Sequence, residues 1–390
     1  MRVLVLGGGF AGLWSALSAA RARDEFGAEC EIVLVNDTPF HSIRVRNYEA
    51  DLSDTRVPLD EVLGPVGVNR IEAEVTEIDV AQRRVTCGSE TVPYERLVFA
   101  LGSRLARPPI PGLAEHGFDV DTYAGAMRLN AHIAALGKKP STVLVVGGGL
   151  TGIEAAAEMP SKLRAAGVET PRVILADHAA RIGSDMGEGA VPVIEQALES
   201  LGVERRGGVS VIAVDAAGVT LDGGARIAAD TVVWCAGMRA HPLTAQFPVE
   251  RDRAGRLPVE PTLKIKGLSA EFAAGDVASF LIDGTHSCVM SCQHGRPMGR
   301  FAGHNAVCDL LGKPMLPLEI AWYTTILDLG PWGALYTEGW NRKLVSTGTA
   351  AKKTKETINR QRIYPPRSGG RQALLDAAAP TVQTPPVRFD

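Results

Sequence analysis

Residues 2–12 read Arg-Val-Leu-Val-Leu-Gly-Gly-Gly-Phe-Ala-Gly, an apolar run that breaks directly into glycines. Such a run ending in glycine predicts a buried strand and a tight turn, and the stretch from Leu13 to Arg23 behind it predicts a helix. The apolar Glu31-Ile32-Val33-Leu34-Val35 then closes a strand-helix-strand unit, whose helical crossover makes its two strands parallel. Gly7, Gly9 and Gly12 stand in GxGxxG spacing between the first strand and the helix. Gly7 permits the turn, Gly9 lets the backbone approach a pyrophosphate, and Gly12 allows close helix-strand contact. The helix start offers unpaired N–H groups to phosphate. An acidic residue commonly ends the second strand to hold a ribose. Here the order is Val35-Asn36-Asp37, which leaves Asn36 as a neutral donor and acceptor and Asp37 as the alternative.

The pattern recurs: Thr142 to Val146 is apolar, Gly147, Gly149 and Gly152 repeat the spacing, Ile153 to Ala166 is helical, and Arg172 to Ala176 is a second strand. Duplication of this kind implies two nucleotide-binding units. Glu154 is added to the second loop. Asp177 closes its second strand, where a carboxylate accepts from both ribose hydroxyls and repels a 2′-phosphate, so NADH is favoured over NADPH, with His178 beside it tempering that preference. Alternating stretches at 83–86 and 225–227 predict β-hairpins within each unit.

The 390 residues allow two or three domains, and 41 basic against 44 acidic side chains point to no nucleic-acid partner. No signal peptide precedes the first strand and no run is long enough to span a bilayer, so a cytoplasmic protein is expected. Six cysteines without a CxxC pair indicate no metal site. Buried reduced thiols are the plain reading. Cys288 and Cys292, four apart, predict one shared helix face and leave a redox pair as the alternative.

Further signatures complete the order: Leu97 to Ser103 with Ala100 and Gly102 at a strand end, Val232 to Gly237, and Gly275-Asp276-Val277-Ala278. With the two glycine loops, these resemble the flavoproteins with two dinucleotide-binding domains, and among them the type II NADH dehydrogenases, over about residues 2–310. The resemblance implies an α/β fold of two Rossmann-like domains with the NAD domain inserted in the FAD domain. The divisions are 1–110 and 241–317 for FAD, 111–240 for NAD(P)H, and 318–390 for a C-terminal extension. It implies that Gly7, Gly9, Phe10, Ala11, Gly12, Val75, Ala100, Gly102, Gly237 and Asp276 surround FAD, and that Gly147, Gly149, Gly152, Glu154 and Asp177 hold NADH. Gln293-His294-Gly295 would open a helix aimed at the flavin, which makes Glu154, Gln293 and His294 the catalytic candidates. Arg44 and Arg46, in the stretch 43–48, line the flavin or the acceptor pocket, or else are solvated strand charges. His41 is a further candidate donor.

Two departures matter. The early Cys-x4-Cys pair that disulfide reductases of this superfold carry is absent, residues 39–44 reading Pro-Phe-His-Ser-Ile-Arg, so electrons must leave the flavin directly for a small acceptor. Of the glutamines that line the quinone pocket of type II dehydrogenases only Gln293 survives, with Val289 where an earlier one belongs. A quinone-like acceptor therefore stands beside two rivals, a biosynthetic flavoenzyme acting on a small metabolite and an NADH-responsive redox sensor. The aromatic residues from Trp322 to Trp340 read as core or as an acceptor platform. The segment 340–371 holds nine basic residues and one acidic one, a solvated face or a weak peripheral contact at the inner face of the membrane, its helix predicted over 349–363. The tail beyond Pro365 is mobile unless docked, and a homodimer is left open.

Overall fold

The computed structural model describes residues 1–389. Strand β1 (Arg2–Leu6) runs into helix α1 (Phe10–Phe26), and β2 (Glu31–Asn36), β3 (Asn69–Glu72) and β4 (Arg96–Phe99) follow. The chain then leaves for β5 (Gly117–Phe118), β6 (Ser141–Val146), helix α2 (Leu150–Ala165), β7 (Pro171–Ala176), β8 (Val203–Arg206) and β9 (Thr231–Trp234), and returns at β10 (Glu271–Ala273). Two parallel sheets result, ordered β3-β2-β1-β4-β10 and β8-β7-β6-β9-β5. The fold is α/β, two Rossmann-like units with the second inserted in the first. Val3, Leu4, Val5 and Leu6 are all fully buried, because helices cover both faces of a parallel sheet. In each sheet the strand order reverses beside the strand that leads into the glycine loop, β1 or β6, opening a crevice at its carboxyl end. Each unit also carries a three-stranded antiparallel meander, one strand more than the predicted hairpin.

The exit strand Ser103–Leu105 pairs antiparallel with the return strand Met238–Ala240, so the two crossings brace each other. Helix α3 (Cys292–Leu310) lies against α1 so closely that only glycine fits. A Cβ on Gly299 would stand 2.2 Å from the carbonyl oxygen of Ala11, and one on Gly303 2.0 Å from that of Ser15. Cys288 lies outside this helix, its thiol donating to the Ala278 carbonyl at 3.3 Å, so the expected shared face with Cys292 does not form.

The C-terminal extension builds its own antiparallel sheet from β11 (Thr324–Asp328), β12 (Ala334–Glu338) and β13 (Lys343–Thr347), followed by α4 (Gly348–Thr357) and α5 (Gly370–Ala377). The helix predicted over 349–363 ends at Thr357 and continues as a π-helical turn, 358–362. The tail is docked: Leu374 and Leu375 are buried, and Trp322 Nε1 donates to the Gln383 carbonyl at 3.0 Å. Five of the nine basic residues, Lys352, Lys355, Arg360, Arg367 and Arg371, pair with carboxylates of the preceding chain. Among the described residues no helix is long and apolar enough to cross a membrane.

The contact between α1 and α3 gives a direct test. Gly303→Val must push two backbones apart, and we expect it to cost about 3 kcal/mol or more. A urea midpoint equal to that of the wild type would contradict the contact.

Candidate active site

The two glycine loops are built alike. Gly7 and Gly147 have φ of +101° and +116°, a region that favours glycine, and a Cβ on either would strike backbone of the neighbouring strand end, Ala100 or Ala236. A Cβ on Gly12 would sit 1.8 Å from the Gly7 oxygen, and one on Gly152 1.7 Å from the Gly147 oxygen. Gly9 and Gly149 differ: a Cβ there meets nothing within 4 Å. Protein packing therefore does not require glycine at those two positions, whereas a group approaching the backbone does. Both head long helices with no side-chain cap and no acidic residue in the first turn, which leaves the N–H groups for an anion. The loops thus fit the pyrophosphates of two dinucleotides.

The residue at the end of each second strand secures its loop. Asn36 Oδ1 accepts from the Gly8 N–H at 2.7 Å, and Asp177 Oδ2 accepts from the Gly148 N–H at 2.5 Å. Asp177 Oδ1 also accepts from the Ala179 N–H at 2.7 Å, while Asp37 is exposed. Val75 opens the first meander two residues beyond Ala73, whose N–H donates to the Asn36 carbonyl at 3.0 Å. His41, buried beneath the first loop, has its Nδ1 2.8 Å from the Gly8 carbonyl oxygen. Burial pushes its pKa down to about 4, so the ring is neutral and Nδ1–H donates to that carbonyl.

The starts of α1 and α3 converge, Gly295 lying beside Phe10 and Gly275. Asp276 accepts from Ser103 Oγ at 2.5 Å, and its carboxyl is pushed up by desolvation against that hydrogen bond. Arg44 Nη1 donates to the Ser103 carbonyl at 2.9 Å, while Nη2 pairs with Asp121. Arg46 is no solvated charge: it is buried, binds Glu49 through two nitrogens and donates to Tyr364 Oη at 2.6 Å. The expected strand at 43–48 is a 3₁₀ turn over Arg44–Arg46.

At the head of α3, Gln293 Oε1 accepts from Thr324 Oγ1 at 2.9 Å, which leaves Nε2 as a buried donor with no partner. His294 Nδ1 accepts from the Val289 N–H at 3.0 Å, and burial lowers its pKa to about 4. The proton therefore sits on Nε2, a second buried donor without a partner. Tyr323, Trp340 and His286 stack beside this pair, at 4.4 Å centroid spacing in both steps. Glu154 lies buried on α2, accepting from Lys355 Nζ at 2.6 Å and from the Asp328 N–H at 3.1 Å. Burial raises the Glu154 carboxyl while Lys355 pulls it down. Burial also opposes the Lys355 charge, but Glu154 and Asp328 outweigh it and hold the ammonium above its ordinary value.

Residues 1–299 match the family described as pyridine nucleotide-disulphide oxidoreductase. The chain belongs to that family. An NADH dehydrogenase-like protein of Mycobacterium tuberculosis is 58% identical over 99% of this chain and 100% of its own length. A type II NADH:quinone oxidoreductase of Staphylococcus aureus is 30% identical, covering 84% of this chain and 87% of that protein. The solved NDH2 of Plasmodium falciparum in complex with NADH superposes with a TM-score of 0.77 at 12% identity, covering 97% of each chain.

In this oxidoreductase, sequence reasoning missed Lys355 and Ser103, the partners of Glu154 and Asp276. No local spacing signals either one, because Lys355 lies 201 residues from Glu154 and Ser103 173 residues from Asp276. All six cysteines are free, and the 39–44 stretch holds the buried His41 and no cysteine.

Two outcomes follow from the first loop. Gly9→Val, at φ −73°, fills open space. It should fold within about 1 kcal/mol of the wild type yet purify without the yellow of bound flavin; a yellow variant contradicts the cradle. Because the His41 pKa is about 4 folded against 6.5 free, the unfolded chain binds more protons between those values. Its contribution is fully present above pH 6.5 and falls toward pH 4 by up to about 1.4 kcal/mol per pH unit. Urea unfolding at pH 7 and 5 should show a smaller loss in His41→Asn than in the wild type, and equal losses would refute the assignment.

Proposed function

We propose that this oxidoreductase draws a hydride from NADH held at the Gly147 loop onto FAD held at the Gly7 loop, and passes the electrons to a quinone-class acceptor near the head of α3. The observation that carries the reading is the open position at Gly9 and Gly149 inside loops that are otherwise filled to contact. A bound flavin supplies the hydride and electron chemistry. The chain's own residues bind, orient and exclude water.

The N–H groups at the starts of α1 and α2 take the two pyrophosphates. Asp177, already fixed by Gly148 and Ala179, offers its remaining lone pairs to ribose hydroxyls and disfavours a 2′-phosphate. Asn36 plays the equivalent part in the first unit without a charge. Asp276, held by Ser103, is the candidate for the ribityl chain. Gln293 Nε2 and His294 Nε2 are neutral donors buried without acceptors, suited to the oxygen of a carbonyl acceptor or of the flavin pyrimidine. The start of α3 adds N–H groups that favour negative charge there. The stack of Tyr323, Trp340 and His286 gives this end of the site an apolar wall. Glu154, clamped by Lys355, ties the nucleotide helix α2 to the extension and positions it.

Several relatives are type II NADH:quinone oxidoreductases, and a demethylphylloquinone reductase of Synechocystis is 27% identical over 86% of this chain. These names support a quinone-class acceptor despite Val289. Pairing of five extension cations with carboxylates supports at most a salt-sensitive attachment to a membrane surface.

Purified protein with NADH should reduce a short-chain quinone faster than it reduces oxygen. NADH should outcompete NADPH, and Asp177→Asn should narrow that preference by roughly tenfold, the size of one lost charge contact. Equal rates with both nucleotides in the wild type, or no quinone turnover, would overturn the reading.

A further inference from the structure

Between α1, α3 and the C-terminal extension lies a cavity of about 600 Å³, walled by Trp14, Arg296, Arg300, Arg362, Tyr364 and Gln383 among others. None of the glycines of either loop lines it. Arg296 and Arg300 stand one turn apart on α3, are only 4% and 3% exposed, and hold their guanidinium carbons 4.9 and 4.4 Å from the centre of the Trp14 ring. No carboxylate among the described residues pairs with either. Arg296 has one hydrogen bond, from Nη1 to Gln383 Oε1 at 3.0 Å. The Nε–H of Arg296, the Nε–H of Arg300 and the indole N–H of Trp14 are all buried donors lacking an acceptor.

A third guanidinium, Arg362, reaches the same space and donates only to the carbonyls of Thr384 and Pro385. Arg360 and Arg367 sit at the rim, where each meets a carboxylate outside the cavity, Glu49 and Asp54. The single carboxylate in the lining, Asp376, is exposed and accepts from Gln372. Burial, with repulsion from Arg300, pushes Arg296 down to about 9, and burial, with repulsion from Arg362, pushes Arg300 down to about 10. One aromatic ring cannot neutralise two desolvated cations, and an unpaired buried charge is strongly unfavourable. The arrangement is one that an arriving anion would complete: two planar forks and a third cation around one hollow.

We propose that this cavity is a binding site for a phosphate-bearing dianion, outside the nucleotide loops, with Arg296, Arg300 and Trp14 as its floor and Arg362 at its side. The phosphate belongs either to a free ester in solution or to a lipid headgroup, and the site recognises what the two share. The aromatic and proline walls, Tyr364 and Pro365, leave room for the organic part.

The test uses the full-length flavin-loaded protein in chloride buffer at fixed ionic strength. Inorganic phosphate and glycerol 3-phosphate are titrated by calorimetry and by thermal unfolding. In a second arm, sedimentation compares phosphatidylcholine vesicles with and without phosphatidic acid. Saturable binding near one site per chain, with a raised Tm, is expected in the first arm for a free ester. A preference for phosphatidic acid in the second arm is expected for a headgroup. Either result must weaken by roughly tenfold or more in Arg300→Gln and in the more exposed Arg362→Gln. Arg300→Gln without phosphate should unfold at the wild-type Tm or higher, since it removes an unneutralised buried cation. No binding in either arm, binding that both variants retain, or a lowered Tm in Arg300→Gln with binding intact in Arg362→Gln would overturn the proposal and leave the arginines as a packing motif around Trp14.

Discussion

The structure depends most on the backbone-to-backbone contact of α1 with α3. Gly299 against Ala11 and Gly303 against Ser15 bring the two backbones into direct contact, and any side chain at either glycine would separate them. One helix begins at the first glycine loop and the other at Cys292, beside Gln293 and His294, so this contact sets the distance between two sources of N–H donors. It also explains why α1 is small or apolar almost all round: the sheet covers one side and α3 the other.

A second constraint joins the inserted unit to the rest. Glu154 of α2 meets Lys355 of α4 in a pocket that also holds Asp328, Tyr48 and Lys352. Such a pair adds little net stability but makes a wrong docking of the extension expensive, because each charge would be left alone. The basic stretch that reads as a solvated or membrane-facing surface is, for the most part, the set of cations that docks the extension onto the body.

Much of this was legible because the signals are local. The glycine spacing and the apolar strands of each unit lie within about 35 residues, turn geometry forces them, and the same unit recurs at 142–176. The equivalence of Asn36 and Asp177 was half visible: both close a second strand, but only the structure has each accepting from the middle glycine of its own loop. The Gly295, Gly299, Gly303 series at helical spacing was a readable sign of the α1–α3 contact that sequence reasoning passed over. Arg46 and Lys355 were illegible for a different reason. Their partners come from distant segments, and no periodicity distinguishes a buried cation from a solvated one. The Cys288 assignment failed because the helix begins only at Cys292, after Ser291.

The central claim is that one chain holds two dinucleotides so that a hydride passes between them. Anaerobic titration of the purified protein with NADH, followed by the absorbance of its flavin, tests this most directly. The account predicts about one FAD per chain, bleached by about one equivalent of NADH. Protein that binds no FAD, or whose bound flavin stays oxidised in excess NADH, would contradict it.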